Sequence, residues 1–162
     1  MNFEAKMNAA KDNNLSVKEE LANTELGKNY EPQDNEEYMC SKHLKYFQNK
    51  LLDWRKNLLS ESERTLASLT SKHLKEPDDT DRAANESATS LALRTRERYF
   101  KLINKIDKAL LKIENGTYGY CDETGEEIGL KRLEARPVAN LTIEAQEQHE
   151  RKEKQMSDNV EE

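Results

Sequence analysis

Proline and glycine are nearly missing from the middle of this 162-residue chain: between Pro32 and Gly116 only Pro77 occurs, so the backbone has one strong place to reverse direction. Apolar residues are also scarce. They make up 35% of the chain against 36% charged, which is poor provision for a spherical core. No apolar run approaches the roughly 20 residues that span a bilayer, and the amino terminus lacks a charged region followed by an apolar one, so a cytoplasmic protein with no membrane partner is expected. Only two cysteines occur, Cys40 and Cys121, which excludes a disulfide framework and suits a reducing compartment. A basic excess is lacking too: the net charge is −6, which argues against DNA as the main partner, because duplex binding requires Lys and Arg to neutralise phosphates. Finally, there is no Ser/His/Asp constellation and no phosphate loop. The three histidines, His43, His73 and His149, are scattered, so a free-standing enzyme is not expected.

What is present is helical periodicity. Residues 1–33 are polar, with a brief apolar hint at Leu15, Val17 and Leu21, and read as a flexible segment holding at most one short helix. Pro32 and Asp34 then open a helix in which Leu44, Phe47, Leu51, Trp54 and Leu58 recur at alternating steps of three and four, a coiled-coil seam. Beyond Leu58 the apolar positions shift to Leu59, Leu66, Leu69 and His73, a change of register. The returning helix carries Leu91, Tyr99, Leu102, Ile103, Ile106, Ala109, Leu110 and Ile113, a stripe that broadens away from the turn. The expected fold is mainly α: a long antiparallel two-helix coiled-coil hairpin over 34–115, each arm reaching about 50–60 Å at the usual helical rise. A small globular head with a C-terminal helix follows over 116–155, then a tail at 156–162.

At the bend, Glu76, Asp78, Asp79 and Asp81 stand within six residues. Asp78 suits an N-cap with Asp81 at N3, where carboxylates accept from orphan N–H groups. The same acids suit a site for a macromolecular partner, and a rigid capped turn serves both ends. An exposed acidic turn lacks the burial that general acid catalysis needs, so a catalytic dyad is not expected. In the head, Asn115-Gly116 is a helix-terminating pair, Tyr118–Cys121 and Glu127–Leu130 flank a tight turn like short strands, and Thr142 is placed to cap a final helix from Ile143 to about Gln155. The candidate core of the head is Tyr120, Ile128, Leu130, Leu133, Val138, Leu141 and Ile143.

Several separated motifs carry a resemblance. Pro77-Asp78-Asp79-Thr80-Asp81-Arg82-Ala83, Tyr118-Gly119-Tyr120-Cys121, Glu127-Ile128-Gly129-Leu130 and Arg132-Leu133-Glu134-Ala135-Arg136-Pro137 resemble the DksA/TraR family of bacterial transcription regulators, in register from about Glu36 to Gln155. The resemblance implies a non-enzymatic factor that inserts its hairpin into the secondary channel of RNA polymerase, without sequence-specific DNA binding, and acts as a monomer. It implies destabilised open promoter complexes and altered output of ribosomal RNA and amino-acid promoters, with ppGpp as effector. The family's tip motif falls on Asp78, Asp81 and Ala83. Its ppGpp residues, which act jointly with polymerase, fall on Leu102, Lys105 and Arg136, while a further family lysine falls on Gln146, implying a weaker response. Arg94 and Arg98 are expected contacts for the polymerase rim, and intrahelical pairing is their plainer reading.

The departure from the family lies in its two CxxC pairs, which bind a structural zinc ion. They fall on Cys121, Thr124, Thr142 and Ala145, so only one ligand survives. Thr and Ala cannot replace thiolates. The chain resembles the cysteine-poor members, with a degenerate zinc-finger-like head held by packing and no stoichiometric zinc in the family manner. Cys121 reads first as a small buried residue and second as a redox-responsive thiol. Two other functions stay open. A Gre-like transcript cleavage factor would shorten RNA in stalled complexes, and a structural coiled-coil adaptor would keep its activity after Asp81→Asn.

Overall fold

A computed structural model describes residues 20–27, 30–72 and 79–158, with the side chains of 68–72, 79–85 and 157–158 left aside. Among the described residues, after a helical stretch at 20–23, these helices follow one another: α1 (Ser41–Lys72), α2 (Asp79–Glu114), α3 (Leu130–Ala135) and α4 (Ile143–Asp158). The two long ones coincide with the stretches that lack glycine and proline, where Lys, Leu, Glu and Arg favour helix. The chain divides into two compact units, one formed by 51–108 and the other by the flanking residues up to Lys50 and from Ala109 onward.

In the 51–108 unit the arms of α1 and α2 run antiparallel as a coiled-coil hairpin. The Arg55 guanidinium donates to Asp107 at 2.7 Å, and the Tyr99 hydroxyl donates to Glu61, so position falls along one arm as it rises along the other. Leu51, Leu58, Ile103 and Ile106 are buried between the arms, whereas Leu66 and Leu91 are largely exposed. The stripe narrows toward the turn, as the sequence leads one to expect. The expected shift of register does not occur at its first step: Leu59 is only half-buried, and the seam continues from Leu58 to Ser62, which is buried. Ser62 lies four residues beyond Leu58, so position rather than hydrophobicity keeps the phase. Leu69 lies outside the described side chains, and His73 outside the described residues.

In the other unit, α1 begins at Ser41 rather than near Asp34. Residues 34–39 form turns, closed by bonds from the Glu36 N–H to the Gln33 carbonyl and from the Cys40 N–H to the Glu37 carbonyl. Met39 has a φ of 53°, which an α-helix cannot contain, and the first bond of α1 runs from the Leu44 N–H to the Cys40 carbonyl. Upstream, residues 20–23 are helical and Leu21 is buried; the remainder of the hinted segment, Leu15 and Val17 included, lies outside the described residues.

The C-terminal boundary of α2 follows the expected residues. The Thr117 N–H bonds the Lys112 carbonyl at 2.9 Å, the Gly116 N–H bonds the Ile113 carbonyl at 3.2 Å, and Gly116 has a φ of 70°. This is a Schellman motif, which satisfies carbonyls that a helix end leaves open. The expected short strands are not formed among the described residues. Tyr120 and Glu127 make one isolated antiparallel bridge, and α3 starts at Leu130, the last residue of the second segment, so no ladder extends.

Candidate functional site

The four positions onto which the resemblance maps zinc ligands, Cys121, Thr124, Thr142 and Ala145, come together where the glycine-rich segment meets the start of α4. The Thr124 hydroxyl and the backbone N–H groups of Thr124, Thr142 and Glu123 surround the Cys121 sulfur. The Thr142 hydroxyl in turn accepts the Ala145 N–H at 3.3 Å, capping α4. Burial pushes the Cys121 thiol up, but the hydrogen bonds from Thr124, Thr142 and Glu123 outweigh it and bring the pKa down to about 7. As a zinc site the set does not fit: it offers one sulfur, two hydroxyls engaged in hydrogen bonds and the methyl group of Ala145. The loops that a metal would tie are joined instead by Asp122 and Asn140. The Asp122 N–H bonds the Asn140 carbonyl at 2.9 Å, and the Asn140 amide returns to the Asp122 carboxylate at 3.2 Å. Lys112 adds an ion pair to Asp122 at 2.6 Å.

Packing supplies the rest. Tyr118 is buried against Phe47, ring centroids 5.5 Å apart, and its hydroxyl donates to the Pro137 carbonyl at 2.8 Å. Burial pushes the Tyr118 phenol well above its ordinary pKa, so it remains a donor. The Tyr38 hydroxyl donates to the Gly119 carbonyl at 2.7 Å and accepts the Gly129 N–H at 3.1 Å. Gly119 must be glycine: its φ is 94°, and a Cβ there would lie 2.7 Å from the Met39 Cγ. Of the expected core, Ile128, Leu130 and Leu133 are buried and Val138 and Leu141 are half-buried, but Tyr120 and Ile143 are exposed. The reason is direction. Tyr120 stands edge-on to Tyr38 at the surface, Ile143 opens α4, and Tyr118, Pro137 and Ala145 fill the interior instead.

The other sequence-predicted residues are distributed as follows. Asp78 lies outside the described residues, and Asp81 and Ala83 belong to the first turns of α2, with side chains outside the described set. Arg94, Arg98 and Lys105 are exposed on α2, and Leu102 is half-buried there, all four in the 51–108 unit. Arg136, in the other unit, ends α3 and is exposed; its N–H bonds the Arg132 carbonyl. Gln146 is half-buried on α4 and donates to Glu150 at 2.8 Å.

Sequence reasoning missed one cluster. Glu36, Cys40 and His43 bring a carboxylate, a thiol and an imidazole together, with one potential ligand atom from each lying within 4.8 Å of the others. His43 is fully buried; its Nε2 is 3.1 Å from the Glu36 carboxylate, and its Nδ1 has no hydrogen-bond partner among the described residues. The Tyr30 hydroxyl donates to the same Glu36 oxygen, and this bond is the main influence lowering the Glu36 pKa. The signal was the spacing Glu-x3-Cys-x2-His, obscured because residues 34–40 read as a helix start.

Among the described residues no helix is long and apolar enough to cross a membrane. The family model for the N-terminal domain of DnaK suppressor protein DksA matches residues 43–113, and that for the prokaryotic dksA/traR C4-type zinc finger matches residues 116–151. The chain is 50% identical over 125 residues to the RNA polymerase-binding transcription factor DksA of Caulobacter vibrioides, covering 77% of this chain and 88% of that protein. It is 44% identical over 128 residues to the protein of the same name from Salmonella typhimurium, covering 79% and 85%. The solved structure of transcription factor DksA2 from Pseudomonas aeruginosa is similar with a TM-score of 0.69 and 37% identity, over 84% of this chain and 97% of that one. With the hairpin, the glycine-rich segment and the C-terminal helix following in the same order, the chain belongs to the DksA family.

Proposed function

We propose that this protein binds bacterial RNA polymerase and regulates transcription without enzymatic activity of its own. The observation that carries this reading is the match, over most of both chains, to relatives named for binding RNA polymerase. The antiparallel hairpin supports it, because a narrow helical pair enters a channel that a globule cannot. In the finer reading the hairpin enters the secondary channel and its tip, Asp78, Asp81 and Ala83, acts near the active centre to destabilise open promoter complexes. Asp81 brings an acceptor-only carboxylate, and Ala83 keeps the approach sterically open. Leu102, Lys105 and Arg136 contribute to a ppGpp site completed by polymerase, the two cations matching a polyphosphate, and the exposed Arg94 and Arg98 seat the arm. Ribosomal RNA promoters are repressed and some amino-acid promoters favoured. The glycine-rich segment performs its part without zinc at Cys121, Thr124, Thr142 and Ala145.

Multi-round transcription from a ribosomal RNA promoter tests this, with purified polymerase, with and without ppGpp, in zinc-free buffer. Repression by the native chain is expected, strengthened by ppGpp and lost in Asp81→Asn although the variant still binds polymerase. If neither folded protein alters transcription, the reading fails and a structural coiled-coil adaptor takes its place.

A further inference from the structure

Just before and within the first turn of α1, three donors of different hardness face one another. We propose that Glu36, Cys40 and His43 form a binding site for one Zn²⁺ ion, distinct from the four positions that the family devotes to that metal. Bonds of about 2.0–2.3 Å put tetrahedral ligands roughly 3.3–3.8 Å apart. The three donor atoms already lie within 4.8 Å of one another, so small side-chain rotations close the set. A thiolate with an imidazole and one carboxylate selects zinc over the hard cations Mg²⁺ and Ca²⁺.

The surroundings are those of a ligand set rather than a chance meeting of surface groups. His43 is fully buried and its Nε2 lies 3.1 Å from the Glu36 carboxylate, so the nitrogen that faces the cluster is already held beside the side chain with which it would share the ion. The Tyr30 hydroxyl donates to the Glu36 oxygen that faces His43 and so fixes the orientation of the carboxylate, the role that second-shell donors play in metal sites. Cys40 is half-exposed and lines an open cleft of about 520 Å³ with Glu36, Glu37 and Lys42, which gives the ion an entry path and leaves a fourth position for water. The competing charge is Lys42, 3.4 Å from Glu36 and itself largely exposed, so it is free to swing away.

The ligands bracket Tyr38 and Met39, the two residues that grip Gly119. An ion here fixes the turn that presents them. It would therefore reinforce the glycine-rich segment from outside, and metal binding would appear as folding stability.

The test is Zn²⁺ binding to the full chain, by competition with a chromophoric chelator and by native mass spectrometry, with Co²⁺ as a spectroscopic probe. The native chain is compared with Cys40→Ser, Glu36→Gln and Cys121→Ser. One equivalent of Zn²⁺ is expected, with a cobalt–thiolate charge-transfer band, both retained in Cys121→Ser. Cys40→Ser should lose the band and weaken binding by roughly 100-fold, at or beyond the upper end of second-shell effects, and Glu36→Gln by roughly 10-fold or more. Zn²⁺ should raise the melting temperature of the native chain and not that of Cys40→Ser, whose fold is checked by circular dichroism without metal. No stoichiometric binding by the native chain, binding undiminished in Cys40→Ser, or binding lost in Cys121→Ser while kept in Cys40→Ser would each overturn the proposal.

Discussion

Tyr38 links two points of the glycine-rich segment through one oxygen, and its partners Gly119 and Gly129 lie 81 and 91 residues away in sequence. Removing that oxygen takes the acceptor from the Gly129 N–H, while the Gly119 carbonyl keeps the Ile128 N–H at 2.9 Å and the ring keeps its edge-to-face contact with Tyr120 at 5.7 Å. Tyr38→Phe is therefore expected to cost about 1–3 kcal/mol, read as a lower urea midpoint with unchanged slope. Cys121 gives a pH signature. Its folded pKa of about 7 lies below the ordinary thiol value of 9.0, so the bonds to its sulfur contribute stability that is full above pH 9 and lost as pH falls through 7. The native chain should accordingly gain in urea midpoint over Cys121→Ser between pH 7 and pH 9, and the two should run parallel below pH 6. The Tyr38 link was not legible beforehand: the motif around Tyr118 identified the segment, but alternation and capping rules say nothing about a partner more than 80 residues distant.

The helices were far more legible, because a buried stripe at spacings of three and four leaves its mark on local sequence whatever lies across from it. Ile103, Ile106 and Ile113 were expected inside and are buried. What failed were boundaries and the exception within the stripe. The backbone at Met39 delays α1 to Ser41, α3 takes Leu130, the last residue expected in a second strand, and Ser62 takes a seam position that hydrophobicity would have denied it. The narrowing of the stripe has a measurable consequence. Ile106 is fully buried, so Ile106→Ala should cost about 2–5 kcal/mol, whereas Leu91, 67% exposed, should cost no more than about 0.5 kcal/mol on the same change. Thermal unfolding of the two variants side by side checks this, and equal losses would mean that the arms pack evenly along their length.

For the whole molecule, charge is the property that no single element carries. With 32 acidic and 26 basic side chains the protein repels a polyanion at long range, although its long helices also present exposed arginines. Non-specific duplex binding draws nearly all its free energy from releasing counterions as cations meet phosphates, and it typically reaches only about 10⁻⁴–10⁻⁶ M even in proteins equipped for it. An excess of six negative charges works against that term at every separation within a Debye length, about 10 Å at 0.1 M salt. A regulator acting through a protein surface has no need of it. Fluorescence anisotropy of a labelled promoter duplex should therefore show no binding by the purified chain at 10 µM, on the order of the typical non-specific range, in 50 mM salt. The anisotropy should rise only when polymerase is present. A rise with the chain alone that weakens steeply with salt would reveal a basic face, and would move the proposed mode of action from the enzyme to the template.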